Sequence, residues 1–103
     1  MDPEKIELHD ARLINMRADY SRKSVVVEVD VRLTSESSER GRMRLIFEGL
    51  RLLSQLTDFD RLAEHASAGN INYWVPLQNG TSFVYLSDGC IAINAESVEC
   101  ELM

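Results

Sequence analysis

The sequence predicts an α+β domain, mainly antiparallel β, with six to seven strands and one helix. Three observations carry that expectation. The stretch SVVVEVDVRL alternates apolar and polar residues with strict period two. The last third, NINYWVPLQNGTSFVYLSDGCIAINAESVECEL, alternates in the same way and breaks at Asn79-Gly80 and Asp88-Gly89. Between them, TDFDRLAEHASAG is the one segment with helical spacing. The 103 residues suit one domain, 1–103, with one modest core.

The first strand is expected over roughly 5–18, with a break near His9-Asp10; Leu13 falls on one side, Ile14 and Met16 on the other. Polar residues 19–23 make the turn. In the second strand Val25, Val27, Val29, Val31 and Leu33 share the core face, while Ser24, Val26, Glu28, Asp30 and Arg32 share the other. Residues 35–39, closed by Gly41, read as a polar hairpin loop. The third strand, RMRLIFEG, turns Met43, Leu45 and Phe47 inward; one register sets Asp30 opposite Arg44, and Gly49 marks a bulge or the strand end. LRLLSQL fits either a short strand or the lead into a helix. The helix is expected over 58–68, with Thr57 as N-cap, Gly69 as stop and Phe59, Leu62, Ala63 and Ala66 as its apolar stripe.

Turn chemistry sets the register of the C-terminal part, read as a four-stranded meander. A type I′ turn at Asn79-Gly80 pairs Gln78 with Thr81, and hence Trp74 with Tyr85. A turn at Asp88-Gly89 pairs Val84 with Ile93, and one at Glu96-Ser97 pairs Ile93 with Cys100. One face then holds Ile71, Tyr73, Val75, Leu77, Val84, Leu86, Ile91, Ile93, Val98, Cys100 and Leu102 as core. The other holds Asn72, Trp74, Phe83, Tyr85, Ala92, Asn94, Glu99 and Glu101. Cys90 and Cys100 fall on opposite faces, so they are expected as free thiols of a reducing compartment.

Composition narrows the function classes. Net charge is −6, which repels phosphates and argues against nucleic acid; Arg22-Lys23 is too short to form a basic patch. The N-terminus MDPEKIELHD lacks an apolar signal region, and no apolar run approaches the roughly 18 residues of a membrane span. These features point to a cytoplasmic protein without a membrane partner. Neither a phosphate loop, a nucleophile elbow nor a Cys-His metal spacing is present, so no cofactor, metal or catalytic residue is expected. An enzyme would rest on His9, Asp10, His65 and nearby carboxylates. Adjacent strand residues point to opposite faces, however, and two distant histidines make a weak metal signal.

The order of strands and turns resembles a class of small bacterial β-rich proteins, some of them immunity proteins of polymorphic toxin systems. The matching stretches are LHDARLI, RLIFEGL, GNINYW and YLSDGCIAINAESVECEL, which together span most of the chain. The resemblance implies a cytoplasmic binder that blocks a toxin by occluding its active surface, and it carries over no functional residue. The residues themselves point to a protein-binding module. Its surface would be Trp74, Phe83 and Tyr85, rimmed by Asn72, Asn94, Glu99 and Glu101, with a basic protein as partner. The alternatives are a helix seated on that aromatic patch, and a structural domain that pairs with a second copy through the 98–102 strand edge.

Overall fold

A computed structural model describes residues 1–32, 39–67 and 69–103. After a short 3-10 turn at Pro3–Lys5 come β1 (Arg12–Asp19), β2 (Ser24–Arg32) and β3 (Arg40–Leu56). The helix α1 (Phe59–Glu64) follows, then β4 (Ile71–Gln78), β5 (Thr81–Leu86) and β6 (Gly89–Leu102). All six strands belong to one antiparallel sheet in the order β1-β2-β3-β6-β5-β4. The loop expected at 35–39 falls almost wholly outside the described residues, as does Leu33; Gly41 lies inside β3, opposite Val31.

Two long strands shape the molecule. β3 and β6 pair from Met43↔Leu102 to Leu56↔Cys90, so LRLLSQL is strand and the 96–97 turn does not exist. The expected C-terminal meander is therefore three strands, β4, β5 and β6. The ladder shifts between Leu50 and Leu52. Just before that shift Gly49 adopts φ +67, and a Cβ there would lie 2.6 Å from the Glu96 side chain. A left-handed residue opposite a tight neighbour is how a bulge bends a strand. Inward residues accordingly switch parity on β6, from Ile91, Ile93 and Ala95 to Cys100, all of them buried.

Bent there, the sheet curls around a core that draws on both halves. Val25, Val27, Val29, Met43, Leu45 and Phe47 come from one half, and Trp74, Val84, Leu86, Ile91 and Ile93 from the other. Leu8 and Ala11, ahead of β1, are also buried in it. The two edges of the sheet are tied at one end. Ala11 accepts from the N–H groups of Asn70 (3.0 Å) and Ile71 (2.9 Å), and Asp10 N–H donates to Ile71 (3.0 Å). The α1 helix caps this region: Leu62 enters the core and its carbonyl accepts from the buried Asn70 amide at 3.2 Å.

Local chemistry corrects several expectations. A bulge at Ile14 puts Leu13 opposite Val29 and Met16 opposite Val27, so both pack on the core and do not point to opposite sides. β2 meets β3 with Asp30 opposite Arg42, not Arg44. The helix is six residues, 59–64, and Asp58 caps it by accepting from Arg61 N–H at 3.1 Å. With so short a helix its apolar stripe does not bury as a unit: Leu62 is buried while Phe59 is 78% exposed. The polar turn after Asp19 is present as expected. Asp19 accepts from Arg22 N–H (3.0 Å) and Ser21 Oγ (2.9 Å), which with the Arg22 guanidinium holds its carboxyl below the usual range.

Candidate functional site

The aromatic face is built by hairpin geometry. At Asn79-Gly80 both residues have positive φ (53 and 84), as a type I′ turn requires, and Gln78 pairs with Thr81. Beyond the turn β4 departs from simple alternation. Its register shifts between Val75 and Gln78, where Pro76 and Leu77 stand opposite Ser82 alone. Leu77 takes φ 50, and its N–H donates to the buried Ser82 Oγ at 2.9 Å. Proline lacks an N–H for the ladder, so a bulge at this point costs no interstrand bond at Pro76.

That one extra residue exchanges Tyr73 and Trp74. Trp74 lies opposite Val84, is 7% exposed and donates from Nε1 to Ile6 O at 2.9 Å. It belongs to the core and is removed from the expected surface. Tyr73 takes its place outside, opposite Tyr85. The two rings stack at 4.6 Å, and Phe83 stacks on Tyr85 at 6.0 Å.

The β5–β6 turn also differs from expectation. Leu86 pairs with Gly89, leaving Ser87-Asp88 as the loop, and Val84 meets Ile91 where Ile93 was expected. Gly89 is needed inside the strand, because a Cβ there would lie 2.3 Å from the Leu56 carbonyl oxygen. The register differs by two residues, so each side chain keeps its face.

Joining the registers across four strands gives the outward rows. One reads Leu56, Cys90, Tyr85, Tyr73; the next Ser54, Ala92, Phe83, Val75; a third Leu52, Asn94, Thr81, Gln78. Leu52 and Leu56 are 73% and 72% exposed and Tyr73 is 50% exposed, while Phe83, Tyr85 and Val75 are half-buried. The helix does not cover this face. Its Leu62 and Ala63, with Ala66 just after it, instead line a groove of ≈ 510 Å³ against Leu13 and Met16.

The expected rim residues divide between two places. Asn94 borders the aromatic face, its amide donating to Thr81 Oγ1 at 2.9 Å. Asn72 sits at the start of β4, and its carbonyl accepts from His9 Nδ1 at 2.8 Å. Glu99 and Glu101 lie beyond the bend, opposite Ile46 and Arg44, and Glu101 pairs with Arg44 at 2.8 Å. They belong to a separate, charged region. The 98–102 segment is paired with β3 along one edge, and on the other the N-terminal amine donates to Cys100 O at 3.2 Å.

Sequence reasoning left Leu52 and Leu56 unassigned and set Tyr73 and Val75 on the core face, together with Leu77 and Leu102, which are 39% and 50% exposed. Pro76 inside an otherwise regular strand was the signal that could have exposed Tyr73. The alternation L-x-x-x-L in LRLLSQL, once read as strand, puts Leu52 and Leu56 on one face.

The histidines are not brought into a larger cluster. His9 Nε2 lies 3.4 Å from Asp10 Oδ2, a pairing that alternation seemed to forbid; Asp10 has φ 65, so the segment is a turn and not a strand. Both groups are well exposed, and His65 caps the C-terminal end of α1. Among the described residues no group of three or more His, Cys, Asp or Glu is placed to hold a metal. Both cysteines are free. Burial raises the Cys90 thiol and pushes Cys100 up to about 11, the reverse of an activated nucleophile. No helix of the described residues is long and apolar enough to cross a membrane.

Comparison with known proteins adds no identity: no family model, curated protein or solved structure matches the chain.

Proposed function

We propose that the chain is a protein-binding module that docks through the outer face of β3, β6, β5 and β4. The observation that carries this reading is the outward row Leu56, Cys90, Tyr85, Tyr73, exposed at Leu56 and Tyr73 and half-buried between them, on a fold whose core is complete without it. Contiguous exposed apolar surface on a folded chain marks interaction sites, and aromatic side chains dominate their energetics. Tyr73, Phe83 and Tyr85 are held by mutual stacking, so little side-chain entropy is lost when a partner covers them. Such a module works by occlusion and requires no catalytic group.

In the setting implied by the resemblance to immunity proteins, it acts in the cytoplasm and covers the active surface of a toxin. A photo-reactive residue placed at Leu56 then captures the partner in cells, while one at Arg17, on the charged half, does not. Capture of the same partner from Arg17 alone would move the interface to the other half and overturn the proposal.

A further inference from the structure

The charges around the exposed face are not evenly spread. At the Leu56 end, Leu56, Phe59, Asp58, Asp60 and Asp88 line one open cleft of ≈ 570 Å³. The cations there are few. Arg61 bonds Asp88 (3.0 Å) and Glu64 (3.2 Å), so this end holds the four carboxylates of Asp58, Asp60, Glu64 and Asp88 and one guanidinium, 1 − 4 = −3. At the Leu52 end the rows finish in the amides Asn94 and Gln78, and Arg51 and Glu96 cancel as a 3.7 Å pair. The face is therefore apolar along its length, acidic at one end and neutral at the other.

We infer that the occupant of this face is a basic, apolar segment of a partner protein, with its cationic side chains at the Asp58/Asp60/Asp88 end. This rests on the docking reading above and names the chemistry of the partner. Long basic side chains suit that end for two reasons. Their aliphatic stems can lie on Leu56 and Phe59, which are 72% and 78% exposed, while their heads reach the carboxylates. The open ring of Phe59 also attracts a cation to its face.

A second copy of this chain fits less well. In a two-fold contact the acidic end meets either itself or the neutral end, and the arginines described there, Arg61 and Arg51, are already paired with carboxylates. The arginines Arg42, Arg17 and Arg44 stand on the charged half beside Glu28 and Glu101. The net charge of −6 works in the same direction by attracting a basic partner before contact.

The test uses the full chain and two synthetic peptides of equal length, one alternating leucine with lysine, the other leucine with glutamate. Binding is read by fluorescence anisotropy at low and physiological salt. The lysine peptide binds, and the glutamate peptide is at least about tenfold weaker. The double variant Asp60→Asn/Asp88→Asn weakens the lysine peptide about fivefold. Asp19→Asn/Glu48→Gln, the same charge change on the other half, weakens it by less than about twofold. Thermal melts confirm that each variant is folded.

If both charge variants weaken binding equally, the attraction is only to net charge, and the inference is overturned. If both peptides bind equally and Leu56→Ser/Tyr85→Ser abolishes both, the docking face stands and the basic partner falls. If neither peptide binds but sedimentation shows a dimer lost in Leu56→Ser/Tyr85→Ser, a second copy is the occupant. If no ligand and no self-association depends on those residues, the docking reading fails as well.

Discussion

The outer surface of the one sheet has two halves of opposite character. On β1, β2 and the first part of β3 it is a lattice of charges that alternates strand by strand. Arg12 and Arg17 on β1 meet Asp30 and Glu28 on β2; Arg42 meets Glu28 again, and Arg44 on β3 meets Glu101 on β6. These bonds are close enough to bury Glu28 and Asp30 although both point away from the core. On the second part of β3, the first part of β6, β5 and β4, two outward rows are mostly apolar and aromatic and the third ends in uncharged polar residues, with no covering element among the described residues. The charged half pairs most of its charges within itself, with the buried Arg44 Nε left without a hydrogen-bond partner among the described residues, and the apolar half stays open. An outward polar face can be completed by its own cross-strand pairs; an outward apolar one left open is the kind of surface that marks interaction sites.

The sharpest way to break this division is at the neighbours Tyr73 and Trp74. Trp74→Ala should cost about 3–5 kcal/mol, because it empties a core position and strands the Ile6 carbonyl. Tyr73→Ala should cost about 1 kcal/mol, mostly the lost stacking on Tyr85. Equal losses in chemical denaturation would mean that the bulge, and with it the facing of β4, is wrong.

The charged half is tested by Arg12→Ala. Arg12 bonds Asp30 through both Nε and a terminal nitrogen, so its loss leaves a buried carboxylate short of partners and should cost about 1–3 kcal/mol. A loss of a few tenths would show that solvent reaches Asp30 freely.

Cys100 sharpens the comparison through pH. In the unfolded chain its thiol ionises near 9.0, while the native thiol holds its proton to about 11. Between these values the unfolded state binds fewer protons, so stability falls as pH rises. Cys100→Val should remove that part of the slope; parallel stability profiles for the two chains would show that the thiol is not buried with the core.

The smallest effect is expected at Leu52→Ser and Leu56→Ser. Each should change stability by no more than about 0.5 kcal/mol, since neither contributes to the core cluster. Melting temperatures that fall by several degrees would place the two side chains inside the fold.

Much of the fold was legible because period two and turn chemistry are local. The strand over 24–32, the Asn79-Gly80 turn and the free, oppositely facing cysteines all follow from them. The failures share one cause. Counting along a strand assumes that no residue is inserted, and insertions at Ile14 and Pro76-Leu77 break the count. An error of one reverses a face, so Trp74 was set outside and Tyr73 inside. An error of two preserves it, so Phe83 and Tyr85 kept their side despite the wrong turn residues at 87–89. The bend at Gly49 was harder to read, because Glu96-Ser97 satisfies the same parity as either a turn or a kink. The candidate site was therefore half legible. Its aromatic centre was found, but its leucine flank was hidden in a segment whose type the sequence left open.

The continuity of β3 and β6 has a mechanical consequence. Both strands run through the bend and belong to both halves, so neither half can unravel without breaking the other's ladder. A partner that grips the apolar half must then slow amide hydrogen exchange in β1 and β2, strands it never touches, because their opening requires the same global event.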